Sequence, residues 1–328
     1  MTEELESLVP STLSRLSHVS ARPLSAVCIF GCGVLTFVAL ASARWAGDAP
    51  LAPSESLEAA AITRAWEPAG RPSLFCFALM VPNTAERGLL EEAARLKTSL
   101  FACDEHMIFS NEPGQVWGSP ISVLWGVDLW CGKNFTPVEF GGAGPSGPWT
   151  TANTRVFKIV WDAVLRSGRW KYYDWTVKMD ADTVFLPWNL RGALRLPQFV
   201  DAQNKPQGAY LKNCPMGLYG GLEALSWHAI LAMSQRMNQC PYVPQEDAWL
   251  RTCLQRLGVF AAEAYGAFCL RGCDIDMANV LQSKGQPAPE GMCPTHYGMC
   301  EGLHAAFHAY KTPWQYSQCH QKAAAAVA

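Results

Sequence analysis

Asp174-Trp175-Thr176-Val177-Lys178-Met179-Asp180-Ala181-Asp182-Thr183 drives a short apolar strand into two carboxylates spaced one residue apart. In an extended backbone successive side chains point to opposite faces, so Trp175, Val177 and Met179 share one layer of core. Asp180 and Asp182 share a side for the same reason, and both can turn toward one cation as the strand ends. Two carboxylates select a hard, oxygen-liking ion, Mn²⁺ or Mg²⁺. An Asp-x-Asp also arises in ordinary surface turns, so its meaning depends on what surrounds it.

Immediately upstream, Val156, Ile159, Val160, Ala163 and Val164 recur at helical spacing and predict an amphipathic helix. Earlier still, Ser73 to Val81 is a nearly continuous apolar run of strand length. Asn83-Thr84-Ala85-Glu86 then offers an N-cap with a reciprocal Glu, opening a helix to about Thr98. Met107-Ile108-Phe109-Ser110 reads as the next strand. Strand, helix, strand in that order predicts an α/β fold with a mostly parallel central sheet flanked by helices. The aspartate pair then sits at a strand's carboxyl end, the edge where open α/β sheets bind ligands. Between Asn111 and Thr151, Gly, Pro and Trp dominate, as expected of a long loop or insertion near a cleft. Leu225 to Met237 and Asp247 to Leu257 read as helices. The last stretch shows no regular pattern, and Ala323 to Ala326 read as a frayed tail.

The chain has 328 residues, 49% of them hydrophobic, enough for one large core or two small ones. A net charge of -2 gives no bulk attraction to nucleic acid, so an anionic ligand must be met by a local site. From Leu24 to Ala43 no charged residue appears, and at about 1.5 Å per helical residue the segment just spans a hydrocarbon layer of roughly 30 Å. The leader before it favours an uncleaved signal anchor, with a signal peptide cut after Ala41-Ser42-Ala43 as the alternative. The expected organisation is a cytosolic tail (1–23), a transmembrane anchor (24–43), a stem rich in Ala, Pro, Ser and Glu (44–72) and a lumenal domain (73–328). Eleven of the thirteen cysteines follow the span without a paired Cys-x-x-Cys pattern, which predicts disulfides in an oxidising lumen. Their odd number leaves one for a free thiol or a disulfide-linked homodimer. Asn134-Phe135-Thr136 is a glycosylation sequon, consistent with lumenal exposure.

Several landmarks, in order, carry a resemblance that extends from Leu74 to about Lys311. They are Leu74-Phe75-Cys76 with Cys103, the Asp174 to Thr183 stretch running on to Asn189-Leu190-Arg191, and Gly220-Gly221 before Ala224-Leu225-Ser226. Glu246-Asp247 leading to Cys253-Leu254-Gln255-Arg256-Leu257-Gly258-Val259 and Phe307-His308-Ala309-Tyr310-Lys311 complete the series. In these the chain resembles the inverting β-1,3-glycosyltransferases of family 31, the group of fringe and core 1 galactosyltransferase. It departs from them at Ala181, where the family commonly has a third Asp, and at Ala309, where it has Pro. The resemblance implies a GT-A, nucleotide-diphospho-sugar transferase fold in a Golgi or endoplasmic reticulum membrane. It also implies a UDP-sugar donor, a glycan or glycoprotein acceptor, and Mn²⁺ (or Mg²⁺) as cofactor.

Transfer from a nucleotide diphosphate requires that charge building on the departing phosphates be neutralised, which a bound cation does as a Lewis acid. The resemblance makes Asp180, Asp182 and His308 the metal ligands, with Asp180 also beside the ribose. His304, one helical turn earlier if the segment is helical, competes with His308. Inversion needs a base for the acceptor hydroxyl, and Asp247 matches the family's position. Glu246 beside it is the competing acid, and Gln245-Glu246-Asp247 as a whole also suits the positive end of a helix dipole. Gly220 and Gly221 let backbone approach a sugar closely. Trp188 and Trp227 invite a sugar-stacking reading, though core packing is the commoner use of Trp. Asp274-Ile275-Asp276 reads as a solvated loop. Asp180-Ala181-Asp182-Thr183-Val184 also fits the signature of haloacid-dehalogenase phosphatases, but not on their first strand and without their downstream acidic pair. A catalytically inactive glycan- or nucleotide-binding protein of the same fold is the second functional class that the residues allow.

Overall fold

In a computed structural model of the chain, the structure describes residues 70–127 apart from 83, then 129, 153–270 apart from 216, and 273, 300 and 303–326. They belong to one compact unit, Glu67–Ala328. The anchor segment 24–43, the tail before it, most of the stem, the Asn134 sequon and Asp274-Ile275-Asp276 lie outside the described residues. Among the described residues no helix is long and apolar enough to cross a membrane.

The strands are β1 (Leu74–Leu79), β2 (Glu105–Ser110), β3 (Gln115–Val116), β4 (Ser119–Val123), β5 (Trp175–Asp180) and β6 (Val184–Phe185). They continue as β7 (Ala209–Lys212), β8 (Leu222–Ser226), β9 (Phe260–Glu263), β10 (Phe268–Leu270) and β11 (Ala306–His308). The helices are α1 (Glu86–Arg95), α2 (Thr154–Ser167), α3 (Pro187–Leu194), α4 (Pro197–Gln203), α5 (Trp227–Arg236), α6 (Glu246–Arg256) and α7 (Pro313–Ala325). Eight strands form one mixed sheet in the order β3-β4-β2-β1-β5-β8-β7-β9. Of these β4, β2, β1, β5, β7 and β9 run one way, and β8 and the short edge strand β3 run against them. This is the α/β, mostly parallel architecture expected from the strand-helix-strand order. A second, three-stranded sheet, β10-β11-β6, lies beyond it.

The centre of the large sheet is covered on both faces, so β1 is buried at every residue and β5 at all but its last. Alternation therefore fails for β5: Thr176 and Lys178 are as inaccessible as Trp175, Val177 and Met179. On one face α2 packs its Phe157, Val160, Trp161 and Val164, and Trp161 meets Phe77 edge-on with ring centroids 4.8 Å apart. The buried stripe is thus offset from the aliphatic one, and Ile159 is exposed. Gly168 ends α2 in the left-handed conformation that a residue lacking Cβ adopts without strain.

Boundaries shift for identifiable reasons. Leu225 and Ser226 belong to β8 rather than to the following helix, because the β5–β8 pairing claims them. α1 ends at Arg95, and its N-cap residue Ala85 supplies no side-chain bond. Thr84 Oγ1 instead accepts from Glu86 N at 3.2 Å, and Glu86 Oε2 accepts from Val81 N at 2.6 Å. The alanine tail is not frayed: it completes α7, where Ala323 is fully buried, and Thr312 Oγ1 caps that helix by accepting from Gln315 N.

Cys76–Cys103, Cys214–Cys273, Cys240–Cys253 and Cys300–Cys319 are disulfide-bonded, and Cys269 is in a disulfide as well. Such bonds persist in oxidising compartments, which suits a secretory or lumenal setting. The first braces β1, the strand paired directly with the one that ends at Asp180. The last ties α7 to the segment that leads into β11.

Candidate active site

β5 stops at Asp180, and the chain turns: Thr183 N donates to Asp180 O at 3.0 Å. Asp180 and Asp182 therefore converge through a turn rather than through strand alternation. Gly221 O locks the turn by accepting from Asp180 N at 3.2 Å and from Thr183 Oγ1 at 2.7 Å. Past the turn β6 pairs antiparallel with β11, Val184 opposite Phe307, and Tyr310 N donates to Asp182 O at 2.9 Å. That pairing delivers His308 to the acids. Its Nε2 stands 3.3 Å from Asp182 Oδ1 and 3.7 Å from Asp180 Oδ2. One ligand atom from each of the three lies within 4.8 Å of the others.

Two carboxylate oxygens and an imidazole nitrogen, partly buried and open on one side, form a donor set that fits Mn²⁺ or Mg²⁺. His304 is not one of this group. The segment is extended rather than helical, so the two histidines do not share a helix face, and His304 Nδ1 instead pairs with Gly266 O at 3.1 Å. Gly221 is where close approach is demanded: a Cβ there would meet His308 Cγ at 2.8 Å. At Gly220 a Cβ would point between Lys178, Glu246 and Asp247, all within 3.8 Å.

A cavity of about 220 Å³ opens beside the triad, lined among others by Asp180, His308, Gly220, Gly221, Gln245 and Asp247. α6 brings Asp247 there from its first turn, and Asn153 Oδ1 holds the helix start by accepting from Glu246 N at 3.0 Å. Burial pushes the Asp247 carboxyl above its ordinary range, with the bond from Ala248 N opposing that rise. Glu246 lines the same cavity but is only 2% exposed. Its Oε2 accepts from Lys178 Nζ at 3.1 Å and its Oε1 from Trp161 Nε1 at 3.4 Å. Glu246 is thus a buried anchor held by Lys178 and Trp161 rather than a helix cap, and Asp247 stands beside it on the same cavity.

Lys178 was missed by sequence reasoning, though it stands two residues before Asp180 on the same side of the strand. Its ammonium donates to Gly220 O at 2.8 Å and Glu246 Oε2 at 3.1 Å, pairs with Asp180 Oδ1 at 2.9 Å, and lies 4.5 Å from the centre of the Phe157 ring. Burial opposes its charge, but Asp180, Glu223 and Glu246 together hold its pKa well above the usual lysine value. Opposite it in the β5–β8 register is Glu223, fully buried, with neither oxygen receiving a hydrogen bond. Burial, and next the charge of Glu246, push the Glu223 carboxyl up, while Lys178 Nζ, 3.9 Å from its Oε2, opposes that rise. One lysine thus stands among three carboxyl groups, Asp180, Glu223 and Glu246. Burial works against Asp182 as well, yet His308 and Lys311 hold its carboxyl well below the usual range.

Glu86 is the other residue that sequence reading took only for a helix-start signal. Burial raises its pKa to about 7, and the charges of Asp182 and Asp180 add to the rise. A folded pKa above the unfolded 4.5 means that the native state holds a proton that the unfolded chain releases, so stability falls as pH climbs from about 4.5 to about 7. Glu86→Gln should leave stability near pH 4 unchanged and raise it by about 1–2 kcal/mol at pH 8, after allowance for partial exposure. Urea melts of the full chain at both pH values in chelator check this, and an equal effect at the two pH values would contradict it.

The remaining landmarks are structural. Asp174 Oδ2 accepts from Ser73 N and Ser73 Oγ, and Asn189 Nδ2 donates to His304 O at 2.9 Å, steadying the segment before β11. Arg191 donates to Pro72 O, Ala102 O and Asp104 Oδ2. Trp227 is buried against Trp170, and Trp188 packs edge-on to His320, so both serve packing.

No protein-family model matches the chain, and no curated protein matches it. Among solved structures it is similar to a glycosyltransferase involved in the glycosylation of the major capsid of PBCV-1, at 13% identity over 62% of this chain and 89% of that one, with a TM-score of 0.35. It is also similar to a cytidylyltransferase from Leptospira borgpetersenii serovar Hardjo-bovis (strain JB197), at 13% identity over 59% and 75% of the two chains, with a TM-score of 0.31. Likenesses this distant carry no argument, and the functional reading rests on the site.

Proposed function

We propose that this chain is a metal-dependent inverting glycosyltransferase of the family 31 type. It would move a hexose or N-acetylhexosamine from a UDP-sugar to a hydroxyl of a glycan or glycoprotein, in β-1,3 linkage. The observation that carries this reading is that Asp180 and His308, two members of the Asp-Asp-His cluster, line the same cavity as the buried-helix carboxylate Asp247. In it Asp180, Asp182 and His308 would hold Mn²⁺ or Mg²⁺, which would supply positive charge to offset that building on the leaving diphosphate. Gly220 and Gly221 leave backbone against the donor sugar. Asp247, raised by burial, takes the acceptor's proton as its oxygen attacks the anomeric carbon, and the C–O bond to the diphosphate breaks on the opposite face. A Golgi or endoplasmic reticulum membrane location rests on the 24–43 apolar run together with the disulfides, and a disulfide-linked dimer rests on the odd cysteine count.

The test is release of UDP from UDP-sugars by the full chain with Mn²⁺ and with chelator, followed by a glycan array for acceptors. Mn²⁺-stimulated release is expected. Binding of UDP with no release from any donor would replace the enzyme by a binding protein of the same fold.

A further inference from the structure

The segment that brings in His308 also brings in Lys311, whose ammonium donates to Asp182 Oδ2. Its position is set by the backbone, since the neighbouring Tyr310 N is bonded to Asp182 O. Asp182 thus has the imidazole of His308 on Oδ1 and the ammonium on Oδ2. The two lysines at the site differ in freedom. Lys178 is 1% exposed and fully engaged in its cage, whereas the side chain of Lys311 is 72% exposed and reaches the site from solvent.

Resting on the metal-site reading above, we propose that Lys311 couples cation binding to diphosphate binding: its ammonium opposes a bare divalent ion at Asp182 and favours the same ion arriving with a nucleoside diphosphate. Like charges that share one partly buried carboxylate repel, and the ammonium also draws charge from an oxygen that would otherwise serve the ion. A diphosphate across both positive groups reverses that sign. Its oxygens accept charge-assisted hydrogen bonds from the ammonium, and a flexible, largely solvated lysine stem can swing from the carboxylate to the phosphate at little cost. Because coupling between two ligands is reciprocal, Lys311 weakens free cation and strengthens the pair through one contact. The consequence is an enzyme that takes up its cation with the nucleotide rather than beforehand.

The experiment titrates Mn²⁺ into the full chain, following the electron paramagnetic resonance of free Mn²⁺, alone and with saturating UDP. It compares the native protein with Lys311→Met and Lys311→Arg. Met should bind Mn²⁺ alone about tenfold more tightly, while UDP should tighten Mn²⁺ binding by a factor about tenfold smaller than in the native protein. Arg should behave as the native chain. Mn²⁺ affinity in Lys311→Met that is unchanged or weaker, or an undiminished UDP effect, overturns the role of Lys311 and leaves the metal site standing. Absence of Mn²⁺ binding by every variant even with UDP removes the metal site and this proposal together. Lys311→Met removes one of the two groups that hold the Asp182 carboxyl low, so it should stay folded but melt slightly earlier at pH 7, and Lys311→Arg should melt like the native protein.

Discussion

Asp182→Asn should abolish Mn²⁺-stimulated release of UDP, lowering it by about a thousandfold or more while leaving the fold intact. The substitution keeps the side chain's shape and removes the charge that His308, Lys311 and a cation all share. Asp180 and His308 then remain as a two-ligand set, one carboxylate short for a hard divalent ion. Mn²⁺ affinity read by paramagnetic resonance should collapse in parallel. The carboxyl of Asp182 is held below its unfolded value, so it contributes stability above pH 3.8 that is lost as pH falls through its lowered native value. The variant should therefore melt earlier at pH 7 by a modest margin and like the native protein in strong acid. Metal-stimulated release that survives in Asp182→Asn would dismiss the aspartate pair as the cation site.

Asp247→Asn separates binding from chemistry. On the proposed reading nucleotide and cation meet the chain at Asp180, Asp182 and His308, so Mn²⁺ and UDP affinities should stay within about twofold, whereas transfer to acceptor should drop by about 10²–10⁴. A base must be ionised, and burial raises Asp247, so native transfer should climb with pH through a value above the usual carboxylate range. The residual rate of the variant should not share that rise. Glu246→Gln makes the counterpart: it breaks the Lys178 cage and should cost stability as well as rate, because it strips one acid from a buried lysine. Full transfer in Asp247→Asn would take that residue out of the mechanism.

Much of the frame was legible along the chain. The apolar runs at Ser73 to Val81 and Asp174 to Asp180 became adjacent parallel strands, and the periodic stretch before Asp174 became the helix that covers them. Where the reading slipped, a partner strand or helix had overridden local preference. Leu225 and Ser226 joined β8 because β5 offered them backbone hydrogen bonds, and the alanine tail is helical because α7 packs against α1. β9, β10 and β11 are three or four residues long, too short for periodicity to register.

By itself the sequence determined β1, β2, β5 and the helices α1, α2, α5 and α6, the Asp-x-Asp at a strand's carboxyl end and the carboxylates at the start of α6, since each is written within one window of ten or so residues whose period and polarity reflect local backbone geometry. Tertiary structure alone decided which groups meet. Lys311 reaches Asp182 across 129 residues, and Lys178 reaches Glu246 across 68. Those meetings depend on β11 pairing with β6 and on β8 running against β5, choices made by burial and hydrogen-bond completion over the whole sheet. The raised carboxyls of Glu223, Glu86 and Asp247 follow from that burial, because the cost of a charge is set by what surrounds it in space.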